Sequence, residues 1–181
     1  MLRRSLDEHV PADDAEARDL EHLRAFVARH PRPFDRSLRE GHLTASALVV
    51  AARGTHVLLL WHRKLERWLQ PGGHGDPGET TGEAVALREA AEETGVHGLT
   101  LHPTAPRPLD VDVHAIPARD HEPAHAHLDL RYVLAAPPDA TLRRAVAECD
   151  ELRWFAWVEL PSLGLDPGLQ RALAKVRALT A

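Results

Sequence analysis

The chain has 181 residues, 44% hydrophobic and 27% charged, a balance that fits one globular domain and excludes an intrinsically disordered chain. Lys and Arg number 22 against 27 Asp and Glu, a formal charge of −5, so bulk charge does not hold this protein to nucleic acid. The single cysteine, Cys149, excludes an intrachain disulfide framework and suits a reducing cytoplasm.

No apolar core follows the early Arg3-Arg4 pair, so the N-terminus does not read as a secretory signal. The apolar run Ala45–Ala52 is far too short to span a membrane. Asp13 to His30 reads as an amphipathic helix, with Leu20, Leu23, Phe26 and Val27 at helical spacing. His30-Pro31-Arg32-Pro33 stops it, because proline lacks an amide and restricts the residue before it. Such a helix could pack on the main domain or form a homodimer interface. Leu43–Ala52 and Thr55–His62 flank Arg53-Gly54 and read as neighbouring strands. The Gly/Pro-rich stretch 63–78 reads as a loop. Thr80 to Thr94 is the strongest helix, with Thr80 and Glu83 as a capping box and Gly95 as the stop. Strands are expected at Leu109–Ile116, His127–Ala135 and Leu152–Val158, with a Pro/His-rich loop over 117–126. Short and long helices are expected at Asp139–Ala147 and Asp166–Leu179. The mixture predicts an α/β domain with helices on both faces of a sheet.

The chemistry concentrates in Arg88-Glu89-Ala90-Ala91-Glu92-Glu93-Thr94-Gly95-Val96. At about 100° per residue the three glutamates share a helical face, and Ala84, Leu87, Ala91 and Thr94 lie opposite. Like charges there repel, and a hard divalent cation with oxygen ligands would turn that cost into a gain. A solvated acidic face explains the helix alone equally well. The loop before it breaks the tie: Gly72-Gly73 lets backbone approach an anion or offer a carbonyl to a metal.

The stretch Gly73-x5-Glu79-x8-Arg88-Glu89-Ala90-x-Glu92-Glu93-x-Gly95-Val96 resembles the Nudix box of the Nudix hydrolases. The family pattern has seven residues where this chain has eight, and the extra one falls in Thr80-Thr81-Gly82 at the mouth of the helix. Trp68-Leu69-Gln70-Pro71 before the box, and Trp154-Phe155 and Glu159-Leu160 after it, also look like the family. The resemblance implies an α/β/α sandwich around a mixed β-sheet, here with an extra N-terminal helix: residues 1–40 as an extension, 41–181 as the Nudix domain. It implies water attack on phosphorus in a nucleoside diphosphate-X type substrate, assisted by magnesium, with manganese as a substitute. By matching position Glu92 and Glu93 would ligate the metal, Glu89 would be ligand or base, and the Gly73 carbonyl a further ligand. Arg88 would orient a carboxylate and Glu79 would brace.

A carboxylate from outside the box is also expected, with Glu148 preferred over Asp150, Glu151 and Glu122. Arg53, Arg63 and Lys64, together with His62 and Arg67, surround the box in sequence and are candidates for substrate phosphates. Trp68 could stack on a base, whereas Trp61, after three leucines, reads as packing. His125 and His127 alternate on one strand side, near His121. They could bind metal as imidazoles, but the favoured reading is histidines at a substrate mouth, with His127 touching substrate. No Cys/His spacing for a structural zinc is visible. Two other readings keep the fold: a nucleotide-binding sensor without catalysis, and an isomerase resembling isopentenyl diphosphate isomerase. The isomerase needs an early reactive cysteine, whereas Cys149 is late and flanked by Glu148 and Asp150.

Overall fold

The computed structural model describes residues 2–119, 122–143 and 149–180. Its elements in chain order are α1 (Leu2–Asp7), α2 (Asp14–Arg29), β1 (Gly41–Val50), β2 (His56–His62), β3 (Arg67–Leu69), β4 (Gly72–His74), α3 (Gly82–Thr94), β5 (Thr100–Leu101), β6 (Asp110–Ile116), β7 (His125–Ala135), β8 (Cys149–Ala156) and α4 (Pro167–Thr180). The strands form one mixed sheet in the order β3-β2-β1-β7-β5. β4 also pairs with β1, β6 with β7, and β8 with β2. The β1·β7 pairing is parallel over ten residue pairs; the other pairings are antiparallel.

The pleat of β1 divides the protein into layers. Leu43, Ala45, Ala47 and Val49 face α2 and α3, in a core with Leu23, Phe26, Val85, Ala90 and Leu130. Leu48 and Val50 face the other way, onto Leu169, Leu173 and Val176 of α4. This is the expected α/β/α sandwich. Of the two roles open to the N-terminal helix, the structure shows packing: α2 buries Leu20, Leu23, Phe26 and Val27 in the main core. The sequence did not signal α1, whose Leu6 joins that core.

One helix end differs from expectation. Thr81, not Thr80, caps α3: its side chain accepts a hydrogen bond from the Ala84 amide. The extra residue of the box is thereby absorbed before the first helical turn. Thr81→Ala is expected to cost about 1 kcal/mol, and Thr80→Ala next to nothing, in urea unfolding of the two variants. Gly95 closes the helix in the left-handed conformation, φ 67°, as the sequence indicated. The 63–78 stretch, read as a loop, contains β3 and β4. Of the helix expected at Asp139–Ala147, residues 139–143 are turn and irregular chain, and 144–148 lie outside the described residues.

A buried ionic network ties α2, β6, β7 and α4 together. Glu16 is fully buried and bonds His9 Nε2 (2.8 Å), the Ala12 amide (2.6 Å) and Lys175 Nζ. Asp110, equally buried, meets Arg171 Nε at 2.9 Å, Lys175 Nζ at 3.1 Å and Arg131 Nη1 at 3.1 Å. Among the described residues no helix is long and apolar enough to cross a membrane.

Candidate functional site

The site forms where α3 packs against the edge made by β4 on β1. β4 pairs with β1 through Thr44↔His74, Ala45↔Gly73 and Ser46↔Gly72. Gly73 therefore faces α3, and its two neighbours face away. A Cβ at Gly73 would lie 2.6 Å from Glu89 Oε1, so the glycine leaves the space the Glu89 carboxylate occupies. The Gly72 amide donates to Glu93 Oε2 at 2.9 Å.

Arg88 is the hub. Its Nη2 reaches Glu79 Oε2 at 3.0 Å and the His74 carbonyl at 2.7 Å. Its Nη1 reaches Glu92 Oε2 at 2.9 Å and Glu89 Oε1 at 3.1 Å. Glu79 also accepts the Asp76 amide at 2.8 Å. Glu79 thus keeps its bracing position despite the lengthened box. The Arg88 hydrogen bond, outweighing burial, holds the Glu79 carboxyl below the usual range. Burial pushes the Glu89 carboxyl up, only partly offset by Arg88. One guanidinium is shared among Asp76, Glu79, Glu89 and Glu92, so negative charge is under-compensated here. The donors are all oxygens, which suits a hard divalent cation.

The helix is rotated from the expected orientation. Val85, Ala86, Ala90 and Thr94 are its buried side, whereas Ala84 is exposed and Leu87 and Ala91 are half-buried. Glu89 sits at the margin of the core face, its side chain 17% exposed, while that of Glu92 is 59% exposed. The two side-chain-free residues of β4 let the helix tuck its acidic margin under the sheet edge.

The remaining candidates scatter. Arg63 and Lys64 are exposed in the β2–β3 turn, and Arg63 Nε pairs with Asp150 Oδ1 at 2.7 Å. Arg53 lies in the β1–β2 turn, beyond Val50, which is itself about 16 Å along the strand from the β4 pairing at Ala45. It is not beside the box in space, because sequence proximity ignored the run of β1. Trp68 is half-buried and packs edge-on to Phe155 (4.7 Å between centroids) and Trp61 (5.5 Å). Glu148 and His121 lie outside the described residues. Glu151 is exposed on β8, and Glu122 is exposed with Oε1 3.8 Å from His125 Nε2. Cys149 is buried and its thiol donates to the Glu151 carbonyl.

His127 is half-buried among His42, His74, His114 and His125, with ring centroids 4.7–5.4 Å away. The absence of a zinc-like spacing in the sequence gave no hint of this, because the rings come from four strands. Only the 125/127 alternation signalled it. Burial, reinforced by the neighbouring rings, pushes His42 down to about 4 and His127 down to about 2. A cleft of about 800 Å³ elsewhere, between α1, α2 and the start of α3, is lined by Arg3, Arg4, Arg107 and Tyr132 and holds none of the site carboxylates.

A family model described as NUDIX domain matches residues 41–176. Among solved structures, a NUDIX-family hydrolase from Clostridium perfringens is 24% identical, covering 76% of this chain and 97% of that one, with a TM-score of 0.61. An Ap4A hydrolase binary complex from C. elegans is 22% identical over 76% of this chain and 96% of that one, TM-score 0.54. The NUDIX domain of Shewanella oneidensis NrtR, complexed with ADP ribose, is 17% identical over 87% and 97%, TM-score 0.53. At these identities the likeness is one of fold. No curated protein matches the chain.

Proposed function

This chain belongs to the Nudix hydrolase family, and on that premise we propose that it cleaves a diphosphate linkage in a nucleoside diphosphate-X type substrate by attack of water on phosphorus. The observation that carries this reading is the Glu89 carboxylate lodged where Gly73 lacks a side chain, flanked on the same helix by Glu92 and Glu93. Phosphoryl transfer needs charge compensation and in-line placement more than covalent help.

Glu89, Glu92, Glu93 and the Gly73 carbonyl would hold a magnesium ion, or manganese in its place. When bound, the ion neutralises charge on the diphosphate oxygens. Glu89 serves as ligand or base: where it does not hold the ion, it takes the proton of the attacking water. Arg88 draws the Glu89 and Glu92 carboxylates to one guanidinium nitrogen, and through the His74 carbonyl fixes β4 against α3. Glu79 keeps Arg88 in that pose. Residues 41–181 form the hydrolase unit, and residues 1–40 brace it from one side. Nucleotide substrates are favoured because proteins of the same fold have structures as an Ap4A hydrolase complex and with ADP ribose.

The test is incubation of the full chain in ¹⁸O-labelled water with dinucleoside polyphosphates, ADP ribose, nucleotide sugars and nucleoside triphosphates. Cleavage of at least one, with label in a phosphate product, abolished by chelation and restored by magnesium, is the expected result. Tight nucleotide binding with no product would replace this reading with that of a sensor.

A further inference from the structure

Strand register gathers histidines that the chain keeps far apart. His42 opposes His127 in the parallel β1·β7 pairing, and His114 opposes His127 in the antiparallel β6·β7 pairing. His125 precedes His127 by two residues and so shares its face. His74 opposes Thr44, two residues after His42, and joins the same face. His42, His125 and His127 each offer a ring nitrogen, all within 4.8 Å of one another.

Hydrogen bonding does not satisfy this cluster. His127 Nε2 lies 3.1 Å from His74 Nε2 and 3.3 Å from His125 Nε2. A neutral ring nitrogen carries one hydrogen or one lone pair, so His127 Nε2 can serve only one of the two. His125 Nδ1 lies 2.9 Å from the Pro123 carbonyl and donates to it, which leaves the His125 Nε2 lone pair directed at the cluster. That arrangement, an outer carbonyl fixing the tautomer of a ring, is the usual one for ligating histidines. His42 is 1% exposed and neither of its nitrogens has a hydrogen-bond partner among the described residues. Buried polar atoms without a partner are rare in folded proteins and require an explanation. The His125–His127 separation of 3.3 Å equals the edge of a tetrahedron with bonds of 2.0–2.1 Å, about 3.3–3.4 Å.

We propose that His42, His125 and His127 bind a divalent transition-metal ion, zinc foremost, at a site separate from the carboxylates of α3. Imidazole donors select zinc, cobalt, nickel or copper over magnesium, which takes oxygens. The two sites lie on opposite sides of β4: Gly73 faces Glu89, and His74 faces the other histidines. An ion here ties β1 to β7, beside the three-residue strand β4 that carries Gly73.

The test is titration of the metal-stripped full chain with cobalt(II). Intense visible bands of four-coordinate cobalt, saturating at one equivalent, displaced by zinc and indifferent to excess magnesium, are expected. His42→Ala and His125→Asn should each weaken cobalt binding by more than about 100-fold, beyond the effect of losing an outer partner. Glu92→Gln should leave the bands unchanged. Zinc should raise the unfolding temperature of the wild type but not of His125→Asn, which keeps the test decisive if His42→Ala does not fold. Absence of saturating bands in the wild type, or bands unaltered in the folded histidine variants, overturns the proposal.

Discussion

Glu92→Gln is expected to lower kcat by about 10²–10³-fold, the scale of removing one electrostatic stabiliser of the transition state, here a ligand of the ion. A thousandfold loss corresponds to about 4 kcal/mol of transition-state stabilisation. The fold should barely notice. The Glu92 side chain is 59% exposed, and its ion pair with Arg88 spans one helical turn. Such exposed pairs contribute about 0.3–0.5 kcal/mol. Steady-state kinetics on the best substrate of the panel, alongside thermal unfolding, separates the two effects. Equal turnover in both proteins would remove Glu92 from the site. A rate loss matched by a large fall in unfolding temperature would assign it a structural role instead.

Glu16→Ala is expected to show the opposite profile, a large stability loss with the α3 carboxylates untouched. The substitution leaves Lys175 and Arg171 without one of their buried partners, and breaking a buried pair costs about 3–5 kcal/mol. For a chain of this size that is a fall of roughly 10 °C in Tm. Burial alone would raise the Glu16 carboxyl, but bonds from His9, Lys175 and the Ala12 amide outweigh it and hold it far below the usual range. A depressed carboxyl contributes stability that is complete above its unfolded pKa of about 4.3 and is lost as pH falls toward the folded value. Urea unfolding should therefore show a constant gap between wild type and variant from pH 7 to 5, shrinking below about pH 4. A gap that is absent at pH 7, or that widens in acid, would contradict the network.

Local chemistry was legible in the sequence, and spatial register was not. The periodicity and proline stop of α2 and the glycine stop of α3 are short-range signals, and they placed those helices within a residue or two. The box residues Glu79, Arg88, Glu89, Glu92 and Glu93 meet as their spacing implied, since a loop and the helix it enters suffice to join them. Thr80 and Thr81 are chemically equal, so only backbone geometry selects the cap. The rotation of α3 depends on Gly72 and Gly73 from another element. The histidine cluster depends on pairings among residues 42, 74, 114 and 127, and no local pattern fixes which strands will be neighbours. Arg53 is near the box by sequence distance, and strand length carries it away; the packing of Trp68 on Phe155 is a long-range contact that no local pattern announces.

The bond between Glu16 and Lys175 spans 159 positions of the chain. During synthesis the glutamate leaves the ribosome long before the lysine exists. Sealing that carboxylate into the interior without its counter-charges would be costly. Docking of α2 and of α4 is therefore energetically coupled, and a polypeptide cut off short of Lys175 is expected to hold α2 more loosely, as amide exchange would read.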